Sequence, residues 1–388
     1  MPPQRPILIA GAGIGGLTLA LALARHGMSA AIIERAPALE EIGAGIQITP
    51  NAGRILDELG LGQALDTAGL RPDAIRLIDG RTGRAITHMP LGDAAENRWG
   101  APYRLIHRAR LQSVLANAVA SAGVEIRLAT ELIDVAQTED RVIVHVRNTR
   151  GDETVATPAL IGADGLRSTV RARLGRPTPV FSGQVAWRAV AAVRTGNEAA
   201  VWLGPEAHLV TYPVEQRGTL NLVATAQGTS PDRGWGTPAS TQEAGAAFSA
   251  WTPTIRQLIA SAGPWLKWPL YELPQLSSWS EGRITLLGDA AHAALPHMAQ
   301  GAAMAIEDAA VLANQLVRWP AEPKQAFTAY EKLRKPRVTA VQRTSRQNGQ
   351  IYRMGGLMAL ARDTALRAMG PNRLMSRFDW VYGYRPDS

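Results

Sequence analysis

Three short motifs contain the glycine and aspartate residues of this chain whose spacing could bind a dinucleotide. They read Gly11-Ala12-Gly13-Ile14-Gly15-Gly16, then Gly162-Ala163-Asp164-Gly165, then Gly288-Asp289-Ala290-Ala291-His292. Glycine lets a backbone approach a phosphate closely, and a carboxylate accepts hydrogen bonds from sugar hydroxyls. The order and wide separation of the motifs indicate one long cofactor that is held by distant parts of the chain.

The first motif has the G-x-G-x-x-G spacing and lies between a predicted strand, residues 7–10, and a predicted helix, residues 17–25. Gly11 makes a tight turn, Gly13 admits the pyrophosphate to the backbone, and Gly16 lets the helix pack closely on the strand. The pyrophosphate then meets free N–H groups at the helix N-terminus. This motif predicts a dinucleotide and does not distinguish FAD from NAD.

Asp289 and a helix start favour FAD, whereas Glu34 supports a dinucleotide of either kind. Glu34 ends the second predicted strand, where it can accept hydrogen bonds from the adenosine ribose, and Asp289 follows a third apolar strand, where it can accept them from ribityl hydroxyls. The next predicted helix begins with Gly301, Ala302 and Ala303. Its free N–H groups suit the negative edge of a reduced flavin.

The elements that must position these groups begin as a βαβ unit and become strand-rich later in the chain. A hairpin is predicted near residues 76–86, and several strands are predicted after residue 185. We also predict a helix over residues 244–262 and a helix that ends near Pro336 and carries a solvated basic face. That face contains Lys332, Arg334, Lys335 and Arg337.

The composition of the 388-residue chain limits the possible classes of function. Hydrophobic residues make up 46%, charged residues 19%, and cysteine is absent, which excludes disulfides, thiolate metal sites and a cysteine nucleophile. The net charge of +8 is scattered, so we expect anionic small molecules rather than nucleic acid as partners, and no metal. Glycines interrupt the apolar residues 7–24, and no apolar run is long enough to span a bilayer, so we expect a cytoplasmic protein that is a monomer or homodimer.

With these motifs, the chain resembles the single-component flavin-dependent aromatic hydroxylases, which have the p-hydroxybenzoate hydroxylase type of fold. The resemblance covers about residues 5–350 and looks closest to the salicylate, 3-hydroxybenzoate and 6-hydroxynicotinate monooxygenases. It rests on the stretches Gly43-Ala44-Gly45-Ile46-Gln47-Ile48-Thr49-Pro50-Asn51, Ile106-His107-Arg108, Gly162-Ala163-Asp164-Gly165 and Pro296-His297-Met298-Ala299-Gln300-Gly301-Ala302-Ala303-Met304-Ala305-Ile306-Glu307-Asp308.

The resemblance implies a Rossmann-like α/β FAD-binding domain of that type with an inserted, sheet-based substrate domain. The implied division is a discontinuous FAD-binding domain at 1–74, 101–175 and 276–350, a substrate domain at 75–100 and 176–275, and a C-terminal helical tail at 351–388. The implied cofactor contacts are Glu34 and Arg35 at the adenosine end, Gln47 and Pro296 beside the flavin, Arg108 on the FAD, Asp164 shared between FAD and NAD(P)H, Asp289 on the ribityl chain or pyrophosphate region, and Gly301, Ala302 and Ala303 at the pyrimidine edge.

Two positions depart from the family pattern. The family often has Asp where this chain has Arg110, which puts local contacts in doubt but leaves Arg108 in place. The 6-hydroxynicotinate enzymes have a His where this chain has Gln47, which puts a pyridine substrate in doubt.

The family reaction implies that NADH or NADPH reduces FAD, that O₂ adds at flavin C4a, and that the hydroperoxide hydroxylates an electron-rich ring. Deprotonating a phenol needs a base, for which His is suited. His208 and Tyr212 share one face of a predicted strand, and His297 follows Pro296 beside the expected flavin. The alternative for the first pair is that Tyr212 packs in the core and His208 lies on the surface, and the alternative for His297 is an ordinary loop residue. Arg188 could bind a substrate carboxylate, or it could serve only in packing.

We therefore predict an FAD-dependent monooxygenase that uses NAD(P)H and O₂ to hydroxylate a small phenolic or hydroxy-heteroaromatic carboxylate. The candidate catalytic residues are His208, Tyr212 and His297. One alternative is a 6-hydroxynicotinate-type pyridine hydroxylase, and a second is an epoxidase or reductase of the same fold. A third is a non-catalytic binding protein, which would lack the yellow colour of a flavoprotein.

Overall fold

The protein is described by a computed structural model that covers residues 5–39, 45–215, 218–229 and 236–386. Gly43 and Ala44, at the start of one stretch that carries the family resemblance, lie outside the described residues. The described strands are β1 Ile7–Ala10, β2 Ala30–Ile33, β3 Gly45–Ile48, β4 Gly69–Leu70, β5 Ala74–Asp79, β6 Ala85–Pro90, β7 Arg104–His107, β8 Glu125–Arg127, β9 Glu131–Gln137, β10 Val142–Asn148, β11 Gly151–Thr157, β12 Leu160–Gly162, β13 Val180–Ala192, β14 Glu198–Gly204, β15 Ala207–Glu215, β16 Thr219–Gln227, β17 Thr237–Ala239, β18 Trp265–Glu272, β19 Ser280–Glu281 and β20 Ile284–Leu286.

The helices alternate with strands at the start of the chain and follow one another at its end. They are α1 Ile14–Arg25, α2 Pro50–Glu58, α3 Gly62–Ala68, α4 Gly92–Trp99, α5 Arg108–Ser121, α6 Thr169–Arg173, α7 Thr241–Gly245, α8 Pro253–Ser261, α9 Asp289–His292, α10 Gly301–Arg318, α11 Pro323–Tyr352, α12 Gly356–Ser376 and α13 Asp379–Tyr382.

A six-stranded sheet in the order β19-β20-β12-β1-β2-β8 organises the first half of the fold. All its neighbouring pairs are parallel except β19 with β20, and its central strands β1, β2, β12 and β20 are buried along their whole length. Continuous apolar strands of this kind need cover on both faces. Because parallel strands end at the same edge, the loops after β1, β2, β12 and β20 meet there.

An eight-stranded sheet in the order β17-β18-β13-β16-β15-β14-β5-β6 forms the second half. It is antiparallel apart from the β14–β5 pair, and the predicted hairpin near residues 76–86 joins it at one edge as β5 and β6. Two further sheets, β11-β10-β9 and β3-β7-β4, complete the described strands. The predicted α/β class is therefore confirmed, whereas the division into domains stays a prediction.

Two helix predictions were wrong. The helix predicted to end near Pro336 runs through that residue to Tyr352 as α11, because Arg334 and Val338 on either side of it are buried. Their tertiary packing offsets the roughly 3 kcal/mol that an internal proline costs. The predicted helix at 244–262 is split, because Thr252 caps a new helix at Pro253 and its side chain accepts a hydrogen bond from the Ile255 N–H.

The basic face predicted to be solvated on that helix is also partly wrong. Arg334 is fully buried and Arg337 nearly so, whereas Lys332 is exposed. Within the described ranges, no helix combines the length and apolar character that crossing a bilayer requires.

Candidate active site

The three glycine motifs meet at the carboxyl edge of the six-stranded sheet. Gly11 has φ +108°, and a Cβ there would lie 2.5 Å from the Ala163 carbonyl oxygen of the second motif. A Cβ at Gly16 would lie 2.0 Å from the Gly11 oxygen, so both positions require glycine. Around Gly13 nothing lies within 4 Å of a Cβ position, so the backbone there is open to a ligand.

Glu34 stabilises the glycine turn from the end of β2. Its carboxylate accepts hydrogen bonds from the Ala12 N–H at 2.8 Å and the Ala36 N–H at 2.9 Å. Gln112 on α5 donates to the Ala12 carbonyl oxygen at 3.1 Å, a contact that the sequence did not indicate. Arg35 is exposed next to Glu34.

Asp164 caps a helix and keeps one oxygen free. Its Oδ2 accepts from the N–H groups of Thr169 at 2.7 Å and Val170 at 3.1 Å, at the start of α6. Its Oδ1 is buried and accepts no hydrogen bond from the described residues. Burial raises the pKa of this carboxyl group. A buried acceptor without a partner suits a ligand hydroxyl or amide.

Asp289 and the start of α10 face the same small cleft. Asp289 is exposed at the start of α9, and it lines this cleft together with Gln300 and Gly301. No side chain caps α10 at its N-cap residue Gln300, and the first residue of the helix, Gly301, is exposed. The uncapped N–H groups that Gly301, Ala302 and Ala303 provide are suited to an electronegative ligand edge.

Gln47 lies within the β3–β7 pair, and Arg108 lies just beyond its end. Gln47 on β3 pairs with Leu105 on β7, and Arg108 begins α5 directly after β7. The Tyr103 hydroxyl donates a hydrogen bond to Gln47 Oε1. This bond turns the amide so that Nε2 is the group that can donate to a ligand.

These features fit FAD. The open backbone at Gly13 suits the pyrophosphate, the carboxylates of Glu34 and Asp289 suit ribose and ribityl hydroxyls, and the uncapped start of α10 suits the flavin pyrimidine edge. Asp164 supplies a further acceptor at the same sheet edge.

A buried ionic network lies behind the start of α10. Arg334 donates to Glu307 and Asp308 at 2.7 Å each, and Arg337 donates to both oxygens of Glu307 at 2.7 Å. His292, from the third motif, bonds Asp308 through Nε2. Burial favours the neutral form of Asp308, but His292 and Arg334 hold its pKa at about 2. His292 therefore supports the buried carboxylate of Asp308.

The network reaches the loop before α10 through amide side chains. Asn51 donates to Glu307 Oε1 at 2.6 Å and to Gln300 Oε1 at 3.0 Å, and Gln300 donates back to Thr49 at 3.0 Å. The N-cap residue of α10 is thus held by α2 and by the buried carboxylate. This fixes the helix start without using its free N–H groups.

A cavity of about 700 Å³ lies between the eight-stranded sheet, the Pro296 loop and the C-terminal helices. Its polar side chains include Gln47, Tyr103, His208 and His297, and the rest of its lining is mainly apolar. Ligand pockets of enzymes have this size and composition.

His208 and His297 come together at this cavity, as predicted for candidates of one site. Their ring centroids are 5.1 Å apart, and the Tyr352 ring lies 5.4 Å from His208. Both imidazoles are buried, and the described residues provide no hydrogen-bond partner for His208 Nδ1 or for either nitrogen of His297.

Burial keeps both imidazoles neutral. It lowers the pKa of His208 well below its ordinary value, with a further lowering from His297 and Arg353. It lowers the pKa of His297 to about 4, again helped by Arg353. Neutral imidazoles with unoccupied nitrogens can accept a proton or a hydrogen bond from a ligand hydroxyl.

Tyr212 lies apart from this pair. It shares the β15 face with His208 but is not among the side chains that line the cavity, and its hydroxyl donates to the Gly45 carbonyl oxygen at 2.6 Å. Burial raises its pKa, although nearby Arg188 partly opposes this. Tyr212 therefore acts as a buried tie between β15 and β3.

Arg188 packs against an aromatic ring on the same sheet face. Its guanidinium lies 5.5 Å from the centre of the Trp268 ring, and burial lowers its pKa. It is not among the cavity residues, but its Nε is buried and has no hydrogen-bond partner among the described residues, so both alternatives for Arg188 stay predictions.

Sequence reasoning missed one whole side of the cavity. Tyr352 and residues of α12 and α13 line it, although the chain after residue 350 was predicted only as a helical tail. A weak signal existed, since Met358, Leu366 and Met369 recur at near-helical spacing. In the part of the chain that the structure describes, no cluster of three or more His, Asp or Glu could bind a metal ion.

Comparisons with known proteins agree with this geometry. The chain matches the FAD binding domain family over residues 4–345. It is 36% identical over 391 residues to a 3-hydroxybenzoate 6-hydroxylase from Polaromonas naphthalenivorans, covering 99% of this chain and 97% of that protein. It is 36% identical over 353 residues to a 6-hydroxynicotinate 3-monooxygenase from Bordetella bronchiseptica, covering 88% and 91%.

A solved structure agrees over the whole length. A variant of HpxO from Klebsiella pneumoniae, complexed with FAD, has a TM-score of 0.85 at 25% identity and covers 98% of each chain. The predicted fold type and the predicted cofactor are confirmed. The chain therefore belongs to the FAD binding domain family, in which it is an FAD-dependent monooxygenase that uses NAD(P)H.

Proposed function

We propose that this enzyme hydroxylates the ring of a small phenolic or hydroxy-heteroaromatic carboxylate and that His208 and His297 receive the substrate hydroxyl. The observation that carries the proposal is the pair of buried, neutral imidazoles with unpartnered nitrogens that face one cavity. Bound FAD would supply the chemistry that proteins lack, the activation of O₂ after reduction by NAD(P)H.

The residues of the chain have three tasks in this reaction. The neutral imidazole of His208 or His297 accepts a hydrogen bond from the substrate hydroxyl as the general base, and the polarised hydroxyl enriches the ring in electrons at the position to be hydroxylated. Gln47 Nε2 donates a hydrogen bond to a ligand oxygen, since Tyr103 occupies its Oε1. Apolar side chains exclude water from the ring.

The cofactor contacts are proposed for the residues at the sheet edge. They are Gly11, Gly13, Gly15, Gly16, Glu34, Arg35, Gln47, Arg108, Asp164, Asp289, Pro296, Gly301, Ala302 and Ala303. The open backbone of Gly13 and the free oxygen of Asp164 support this assignment most directly.

A hydroxylated pyridine carboxylate is the second candidate substrate class. The similarity to a 6-hydroxynicotinate 3-monooxygenase favours it. Gln47 argues against it, since the resembling pyridine enzymes have a His at this position.

A substrate panel tests the proposal. Hydroxybenzoates and hydroxypyridine carboxylates are incubated with the holoenzyme, and NAD(P)H oxidation is compared with hydroxylated product and with peroxide. We expect hydroxybenzoates to stimulate oxidation and to give product. No stimulation by any member of the panel would contradict the proposed substrate class, and product only from pyridines would favour the second candidate.

Single substitutions test the roles of the two imidazoles. We expect His208→Gln or His297→Gln to lower the rate of hydroxylation by about 10²-fold or more, because general-base catalysis contributes on that order. Tyr212→Phe should have a smaller effect, since its hydroxyl bonds Gly45 rather than the cavity. His145→Gln is the control, because His145 is exposed on β10. Unchanged turnover and product yield in His208→Gln, His297→Gln and Tyr212→Phe would contradict the assignment of a catalytic base.

A cytoplasmic location, a monomeric or homodimeric state and the absence of a nucleic-acid partner stay predictions.

A further inference from the structure

The C-terminal helices form one wall of the cavity although they lie beyond the family match. That match ends at residue 345, whereas α12 and α13 begin at Gly356 and Asp379. The side chains of this wall that line the cavity include Met358, Leu366, Met369, Leu374, Phe378 and Tyr382.

The wall packs against the residues of the proposed site. Leu366, Met369 and Phe378 belong to the apolar cluster that also contains Tyr103 and Met298. Met298 directly follows His297 in the chain. The wall therefore packs against the apolar cluster that contains Met298 of the Pro296 loop and Tyr103, the hydrogen-bond partner of Gln47.

A backbone break lets α12 form this surface. Gly370 has φ +68° and ψ +170°, which interrupts the helix, and Pro371 follows it. Glycine adopts this conformation without strain, and proline starts the next helical turn. The break changes the chain direction between Met369 and Leu374, so that both line the same cavity.

Two arginines hold the end of the wall in place. Arg337 donates to the carbonyl oxygens of Trp380 at 2.8 Å and Val381 at 2.9 Å while it binds Glu307, and it stacks on the Tyr384 ring at 3.8 Å. Arg54 on α2 donates to the Tyr382 carbonyl oxygen at 3.0 Å. The wall is thus tied to the same carboxylate that supports the start of α10.

We propose that the segment from Gly356 to Tyr384 determines substrate specificity, with Leu366, Met369 and Leu374 setting the size of the substituent that the aromatic ring can carry. This inference rests on the proposed function, because it takes the cavity to be the substrate site. Apart from Arg362 and Arg377, of which Arg362 is paired with Asp363, the side chains with which this segment lines the cavity are mainly apolar. Leu366, Met369 and Leu374 therefore offer a surface that accepts a hydrocarbon substituent on the ring.

Opposite changes at one position test this assignment. Met369→Ala removes side-chain volume from the wall, and Met369→Phe replaces a flexible side chain with a rigid ring. Leu360→Ala is the matched control, because Leu360 is on α12, is 61% exposed and does not line the cavity. The probes are 3-hydroxybenzoate and its methyl- and ethyl-substituted forms, and their dissociation constants for the holoenzyme are measured by calorimetry.

We expect Met369→Ala to shift the ratio of the dissociation constants about tenfold in favour of the ethyl-substituted acid. Met369→Phe should shift the ratio in the opposite direction, and Leu360→Ala should leave it unchanged. Met369→Ala should also lower the product formed per NAD(P)H oxidised with the unsubstituted acid, because water enters the enlarged site. Ratios that stay at the wild-type value in both Met369 variants would overturn the proposal.

Binding and turnover separate this proposal from the proposed function. If aromatic acids bind the holoenzyme but do not stimulate NAD(P)H oxidation, the proposed function fails while the ratios still decide the role of the wall. If no aromatic acid of the panel binds, both are overturned. If the Phe variant alone fails to fold, the ratio in the Ala variant decides.

Discussion

At the carboxyl edge of the six-stranded sheet, the groups that would meet FAD are backbone N–H groups and carboxylates at strand ends, whereas the neighbouring cavity is lined by side chains from distant segments. At this edge the backbone segments lie so close together that a Cβ added at Gly16 would be 2.0 Å from the Gly11 oxygen. The cavity instead depends on rings such as His208 and Tyr352, which contact each other, and on apolar side chains such as Met369.

Because one region is formed by backbone and the other by side chains, we expect them to differ in how well they tolerate amino-acid substitutions. A backbone site has almost no neutral substitution, because any Cβ at Gly11 or Gly16 clashes with main-chain atoms. A side-chain site can change its shape while the fold persists, since volume-conserving changes in apolar packing cost little. Among enzymes of this family that act on different substrates, we therefore expect the residues of the cofactor region to stay the same and those of the cavity to differ.

The Glu307 network connects the two regions, and breaking it should have the largest effect. Arg334→Met leaves Glu307 and Asp308 buried with fewer cationic partners. Removing one partner of a buried ion pair costs about 3–5 kcal/mol, so we expect the free energy of unfolding to fall by about that amount. Urea unfolding of the holoenzyme measures this change.

The control for this variant is Arg343→Met, an exposed position on the same helix. It should change the unfolding free energy by less than about 0.5 kcal/mol. If Arg334→Met were as stable as the control, the two regions would not be joined through this network.

At the carboxyl edge of the six-stranded sheet, a change at Gly13 should weaken cofactor binding without affecting folding. Gly13→Ala adds a methyl group where the protein leaves open space, so the apoprotein should keep its stability. The same methyl group should obstruct the pyrophosphate, and we expect the FAD dissociation constant to rise about a hundredfold, or about 3 kcal/mol. Titration of apoprotein with FAD, followed by flavin fluorescence, measures it.

Gly196→Ala provides the comparison, because a Cβ at Gly196 also meets nothing within 4 Å but lies between β13 and β14. It should bind FAD as the wild type does. Equal FAD affinity in the two variants would show that the open space at Gly13 is not where the cofactor approaches.

The carboxyl edge of the six-stranded sheet could be predicted from the sequence, because its motifs consist of residues that are close together in the chain. Gly11 to Gly16 follow a strand and precede a helix, and Asp289 and Gly301 lie where a strand ends and a helix begins. Each signal spans only a few residues, so no knowledge of tertiary packing is needed to recognise it.

The cavity, which is lined by side chains from distant segments, could be predicted only in part. His208 and His297 were both chosen as candidates, yet only a near-helical apolar spacing indicated Met369, and nothing in the sequence indicated that Tyr352 would join them. Arg334 was placed on a solvated face, because local patterns do not reveal a carboxylate partner 27 residues away. Long-range side-chain contacts have no local signature, which limits such predictions.

The smallest expected effect concerns the charge state of the cavity. The pKa of His297 is lowered to about 4 in the folded protein by burial and by Arg353, whereas an unfolded histidine has a pKa near 6.5. Between these values the unfolded chain binds a proton that the native state does not. Stability from this group is therefore present above about pH 6.5 and is lost as the pH falls toward 4. His208, whose pKa is also lowered, acts in the same direction, and Tyr352 remains neutral.

His297→Gln should remove this contribution, because glutamine has no proton to bind. We expect the loss of unfolding free energy between pH 7 and pH 4.5 to shrink by about 1–2 kcal/mol in the variant, measured by urea unfolding at both values. His145→Gln on the exposed face of β10 should keep the wild-type loss. An undiminished loss in His297→Gln would mean that the cavity admits enough water to solvate an imidazolium. The side chains of the cavity would then not exclude water as the proposed function requires.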